Sequence, residues 1–244
     1  MIIINSCGNL HVSKNKNNQD FYYRDSKVKV VLDGCSLGDE MESSNTEVGA
    51  KLFSFLFSQL DEKLRHDESL FEDNVKSIFD KMLGLFGVSG KVTDGKMISF
   101  LSSIFSFTIL AAFELEEGFV VKTMGDGFII MQNKKNDISY MRLEYEDNSP
   151  PYYIYNYLLP NGTVIDVKFE TYRFSKDHFV NIGVASDGIA PFAIENNIKQ
   201  ADLLKIDRFL LNLDDKPMPN SANRILSMIL QNKNEFHDDT TIVF

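Results

Sequence analysis

Residues 105–131 read FSFTILAAFELEEGFVVKTMGDGFIIM. Three apolar runs, rich in β-branched and aromatic residues, are broken at Glu116-Glu117-Gly118 and at Gly125-Asp126-Gly127, and ISYMRL follows at 138–143. Short apolar runs bounded by turn residues read as strands. Here they follow one another with no helical stretch between them. That order predicts an α+β domain with antiparallel sheets rather than alternating βαβ units.

Upstream, IIIN (2–5), FYY (21–23) and VKVVL (28–32) read as further strands. Ser44 to Glu47 has the form of a capping box. Val48, Leu52, Phe53, Leu56, Phe57, Leu60 and Leu64 behind it recur at helical spacing. A second box, Ser69 to Glu72, opens the stripe Val75, Ile78, Phe79, Met82, Leu83 and Phe86, which Gly84, Gly87 and Gly90 punctuate. Downstream, a Tyr-rich segment after Asn148-Ser149-Pro150-Pro151 reads as a flap or surface hairpin. VIDVKFETYRF (164–174) and VNIGVAS (180–186) return to strand character. Residues 191–232 read as helical, with Ile225, Leu226, Ile229 and Leu230 behind Ser221, and TTIVF (240–244) as a last strand. Residues 1–244 are expected to form one domain.

The composition is 43% apolar with 20 Phe, enough for a sizeable core, and the net charge is −10. Lys and Arg do not cluster, which argues against nucleic acid as a partner. Cys7 and Cys35 suggest no disulfide framework. No apolar run approaches the roughly 20 residues that span a bilayer. The expectation is a soluble cytoplasmic protein without a membrane partner.

Five aspartates stand where an apolar run meets a turn or the next strand: Asp20 (NNQDFYY), Asp33 (VVLDGCS), Asp126 (TMGDGFII), Asp187 (GVASDGIA) and Asp238 (HDDTTIVF). An Asp-Gly pair alone is usually only a turn, and Gly125-Asp126-Gly127 is the most open to being a hairpin tip. Asp33 and Asp187 each end a strand that should be buried, where an unpaired carboxylate is costly. Scattered carboxylates of this kind suit hard cations such as Mg²⁺ and Mn²⁺. The histidines His11, His66, His178 and His237 are dispersed and read mostly as surface or turn residues, with His237 a candidate neighbour of Asp238. Cys35 reads as a small residue near a site.

In order along the chain, Asn18-Gln19-Asp20, Asp33-Gly34, Thr108-Ile109-Leu110 before Gly125-Asp126-Gly127, Ala185-Ser186-Asp187-Gly188 and Asp238-Asp239-Thr240-Thr241 resemble the motifs of the metal-dependent protein phosphatases, the protein phosphatase 2C family, in its compact bacterial branch. The resemblance covers nearly the whole chain. It implies a four-layer αββα sandwich of two antiparallel sheets flanked by helices, and a centre of two Mn²⁺ or Mg²⁺ ions with a weaker third. Carried over, Asp33 would bridge the two ions and the Gly34 carbonyl would bind one. Asp187 and Asp238 would hold the other, Asp20 would join directly or through water, and Asp126 with Asp187 would hold the third.

The implied activity is hydrolysis of phosphoserine and phosphothreonine in proteins by a metal-activated water, with Asp33, Asp187 and Asp238 as its core. A cognate serine/threonine kinase is an implied further partner. The sequence departs from the family in three places. Lys14 and Lys16 stand near where relatives carry a phosphate-clamping arginine, and lysine offers a point charge rather than a fork. Gln19 stands where eukaryotic relatives have glutamate. Cys35 replaces the histidine that follows Asp-Gly in several relatives. These changes keep open a phosphatase-fold binding module that recognises a phosphoprotein or a kinase without turnover.

Overall fold

The computed structural model describes residues 3–14, 16–35, 44–145, 150–190 and 238–244. One sheet runs, neighbour to neighbour, through β1 (Ile3–Ser6), β10 (Thr240–Val243), β9 (Phe179–Ala185), β6 (Gly127–Asn133) and β7 (Ile138–Leu143). The other runs through β2 (Phe21–Arg24), β3 (Val28–Leu32), β4 (Ile109–Glu114), β5 (Gly118–Met124) and β8 (Glu170–Ser175). Every pairing is antiparallel. The fold is an α+β sandwich, as expected.

Strand alternation builds the layers, because successive side chains point to opposite faces. Val31, Leu110, Ala112, Phe119 and Val121 of the second sheet meet Ile129, Leu143, Ile182, Val184 and Val243 of the first. The alternate residues Val30, Leu32, Ile109, Ala111, Phe113 and Val120 turn to a helical layer. That layer contains α2 (Thr46–Ser58), α4 (Phe71–Leu85) and α5 (Gly95–Phe105), while α1 (Asn9–Ser13) and α3 (Glu62–His66) are short. Phe79 lies among Phe53, Phe107 and Tyr153, with ring centroids 6.0, 5.7 and 4.7 Å away. On the far face of the first sheet, Ile4, Phe128, Ile130, Ile189, Ile242 and Phe244 form another apolar cluster. The stretch 191–232, expected to be helical, lies outside the described residues, as does His237. No helix among the described residues is long and apolar enough to cross a membrane.

Several local expectations are corrected. Neither capping box forms: Asn45 is the N-cap of α2, and Ser44 Oγ instead donates to the Cys35 carbonyl at 3.0 Å. Ser69 lies in a 3-10 turn held by Asp67, and Glu72 pairs with Lys122 at 2.6 Å. Val48 and Leu64 of the expected stripe are exposed. Helix α5 was not anticipated; the Asp94 side chain caps it by accepting from the Met97 amide. Phe105 therefore ends a helix, and the strand begins only at Ile109. Residues 164–169 are not strand. The Tyr-rich segment is no surface hairpin: Tyr152, Ile154, Tyr157 and Leu158 are buried in the helix-side core, and Leu158 bridges to Val92. Its aromatic rings are worth more against Phe79 than in water.

Candidate metal centre

The antiparallel registers bring five chain segments to one end of the sandwich. Phe21 pairs with Leu32, Ile109 with Met124, and Ala185 with both Phe128 and Ile242. Asp20 precedes β2, Asp33 follows β3, Asp187 follows β9 and Asp238 precedes β10. Asp126 links β5 to β6, which lie in different sheets, so Gly125-Asp126-Gly127 is a crossing between sheets and not a hairpin tip. Gly125 and Gly127 have φ of 96° and 136°. A Cβ on Gly125 would lie 2.5 Å from Thr108 Cγ2, and one on Gly127 2.6 Å from the Ala185 carbonyl. Only glycine combines that backbone with so close an approach.

Asp33 is held by its backbone: its amide donates to Thr108 Oγ1 at 3.2 Å and its carbonyl accepts from the Thr108 amide at 2.8 Å. Asp20 is buried. Its Oδ2 accepts from Ser186 Oγ at 2.7 Å, and Ser186 Oγ in turn accepts from the Thr241 amide at 2.8 Å. Asp20 Oδ1 is buried with no donor. The carboxyls of Asp20 and Asp187 lie close enough to Asp33 to act on its charge. Carboxylates this near disfavour one another's ionised form, and a bound cation would relieve that repulsion.

The charges show the same strain. Burial raises the Asp33 carboxyl well above its ordinary range, and Asp20, Asp187 and Asp126 add to the effect. Asp20 is pushed up to about 7, first by burial, against the Ser186 bond, with Asp239 adding. Asp187 is pushed up to about 6 by burial, then by Asp126 and Asp238, while Arg142 opposes. Asp126 is raised by burial, and there too Arg142 opposes. Asp238 is exposed, and the Asp239 amide donates to its Oδ1 at 2.8 Å. An orphaned buried oxygen among hard oxygen donors that repel one another fits divalent Mg²⁺ or Mn²⁺.

Lys14 is exposed and Lys16 half-buried on the loop after α1, where the Lys16 amide donates to the His11 carbonyl at 2.8 Å. Arg142, on β7 in register with Phe128, carries the cation that offsets Asp126 and Asp187, a role its strand sequence did not reveal. Burial raises the Cys35 thiol, and the Tyr152 hydroxyl opposes that rise. His11, one of the four dispersed histidines, is buried, with Nδ1 2.7 Å from Asp239 Oδ2.

Among the described residues, Cys7, His11 and Asp239 are the metal-type ligands whose atoms all lie within 4.8 Å of one another. They suit an ion poorly. Ligands of a tetrahedral ion stand roughly 3.3 Å apart, whereas His11 and Asp239 are already hydrogen-bonded at 2.7 Å.

The described fold is that of the PPM-type serine/threonine phosphatases. Serine/threonine phosphatase Stp1 from Staphylococcus aureus superposes with a TM-score of 0.57 at 12% identity, covering 99% of this chain and 92% of that one. For PstP/Ppp of Mycobacterium tuberculosis the TM-score is 0.54 at 12% identity, over 99% and 95% of the two chains. PppA of Pseudomonas aeruginosa, described as a key regulatory component of T6SS, gives 0.58 at 12% identity over 99% and 94%. No protein-family model and no curated protein matches the sequence.

Proposed function

We propose that this chain is a metal-dependent serine/threonine phosphoprotein phosphatase, acting as one cytoplasmic domain over residues 1–244. The observation that carries the reading is Asp20, buried with Oδ1 lacking a donor, at the end of a fold shared with solved phosphatases. Asp33, the Gly34 carbonyl, Asp187, Asp238 and Asp20 would hold two Mn²⁺ or Mg²⁺ ions, and Asp126 with Asp187 a weaker third. When bound, such a pair activates water for in-line attack and offsets phosphoryl charge. The chain's own residues do the rest. Ser186 fixes one Asp20 oxygen and leaves the other free. Thr108 fixes the Asp33 backbone. Lys14 and Lys16 would attract the phosphate as point charges. The substrate class is a phosphorylated protein, with a cognate kinase as a further partner.

The test is release of phosphate from a phosphopeptide. It should require Mn²⁺, stop in chelator, and be lost in Asp33→Asn and in Asp238→Asn; undiminished turnover in both variants would refute the proposal. A second reading, a phosphoprotein-binding module with little turnover, is favoured by lysines in place of the arginine fork and by the exposure of Asp238. Phosphopeptide binding without phosphate release in Mn²⁺ would select it.

A further inference from the structure

We propose that His11 and Asp239 form a clamp that positions the metal centre, a role that rests on the reading above. Asp239 gathers three donors onto one buried carboxylate. The Gly8 amide donates to Oδ1 at 2.7 Å, the Gln19 amide to Oδ2 at 2.5 Å, and His11 Nδ1 to Oδ2 at 2.7 Å. A carboxylate has no proton to give, so Nδ1 carries the hydrogen.

The three donors come from the two ends of one excursion of the chain, residues 8–19, and from α1 within it. That excursion holds α1, Lys14 and Lys16, and it delivers Asp20 as the very next residue. At the other side of the clamp, Asp238 immediately precedes Asp239. One side chain thus ties the segment bearing the candidate phosphate-binding lysines and one ligand candidate to the segment that leads into β10 and bears another.

The register explains why Asp239 can reach. Ser6 pairs with Thr240 in the β1–β10 ladder, so the residues just beyond that pair, Cys7 and Asp239, leave the sheet side by side. Gly8 has no side chain to hold them apart: a Cβ there would lie 2.3 Å from the Asp238 carbonyl carbon. In the clamp Asp239 and His11 act through their hydrogen bonds to the ligand-bearing segments, so both are positioning residues. Partners of this kind, one shell out from the ligands, typically change metal affinity by about 10–100-fold.

The decisive experiment compares His11→Asn with His11→Gln. The asparagine amide nitrogen can occupy the place of Nδ1, whereas the glutamine nitrogen overlays Nε2 and fills more of the imidazole volume. A clamp predicts that His11→Asn keeps Mn²⁺ affinity within about threefold of wild type, while His11→Gln, His11→Ala and Asp239→Asn lose about tenfold or more by titration calorimetry. The same three variants should raise KM for a phosphopeptide more than they lower kcat. A packing role predicts the reverse order, glutamine above asparagine. That order, or unchanged Mn²⁺ affinity in all four folded variants, overturns the clamp. If His11→Ala fails to fold, the Asn and Gln pair decides. Wild type that binds Mn²⁺ but releases no phosphate overturns the phosphatase reading alone, and the clamp is then judged on Mn²⁺ affinity. Wild type that binds no Mn²⁺ overturns both.

Discussion

Asp20 and Asp239 are the same residue type, are buried to 1% and 3% exposure, and stand at the same end of the two sheets, yet their surroundings are opposite. Asp239 is saturated by two backbone amides and an imidazole. Asp20 has one side-chain donor, an orphaned oxygen and other carboxyls near enough to repel it. Burial alone therefore does not mark a functional carboxylate. Where protein donors complete the hydrogen bonds, the charge serves structure; where other carboxylates crowd it, something from outside must complete it.

The largest expected effect separates the two regions by sign. Asp33→Asn should lower Mn²⁺-dependent phosphopeptide hydrolysis by more than about 100-fold, beyond what loss of an outer partner does. It should also raise the Tm of the metal-free protein near neutral pH, because it removes a buried carboxyl whose ionisation the fold disfavours. A metal-free Tm that falls would erase the distinction between the regions.

The next effect is on pH dependence. Asp187 and Asp20 have folded-state values raised to about 6 and about 7. A raised carboxyl means that the fold prefers the protonated form. The stability so gained is full below the unfolded value and is lost as pH rises through the folded ones. Metal-free protein should therefore lose stability, on the order of a few kcal/mol, from about pH 4 to about pH 7. Excess Mn²⁺ should flatten that slope in thermal melts, since it binds the ionised form. Equal slopes with and without metal would contradict the assignment.

A smaller change should come from the satisfied region. Asp239→Asn leaves a buried donor without an acceptor and should destabilise by about 2–3 kcal/mol in denaturant titration. The opposite sign from Asp33→Asn is the comparison's sharpest form. Least of all, Lys14→Ala and Lys16→Ala should each raise KM by less than about fivefold with kcat kept, since an exposed charge pair is worth about 1 kcal/mol or less.

Much of the fold was legible because its signals are local. The strand runs at 21–23, 28–32, 118–124 and 138–143 stand where their apolar patterns put them, within a residue or two. The stripe Val75, Ile78, Phe79, Met82 and Leu83 is buried as its spacing predicts. Helix α5 was missed because Asp94 is a lone cap, and the Phe-rich run after it pulls the reading toward strand. The Tyr-rich segment was misjudged because Pro and polar residues resemble a surface turn, while the partners of its rings lie far upstream in the chain.

From sequence alone came the strand order, the five aspartates at strand ends and the hard-oxygen chemistry they suit. Periodicity and turn preference act over a few residues and can be read without a fold. Tertiary structure alone decided that Gly125-Asp126-Gly127 crosses between sheets, that Arg142 offsets Asp126 and Asp187, and that His11 is buried against Asp239. The last pair is separated by 228 positions in the chain. Which buried carboxylate has its oxygens satisfied by donors and which is left with an orphaned oxygen among other carboxylates depends on sheet register, and register is a property of strands already paired.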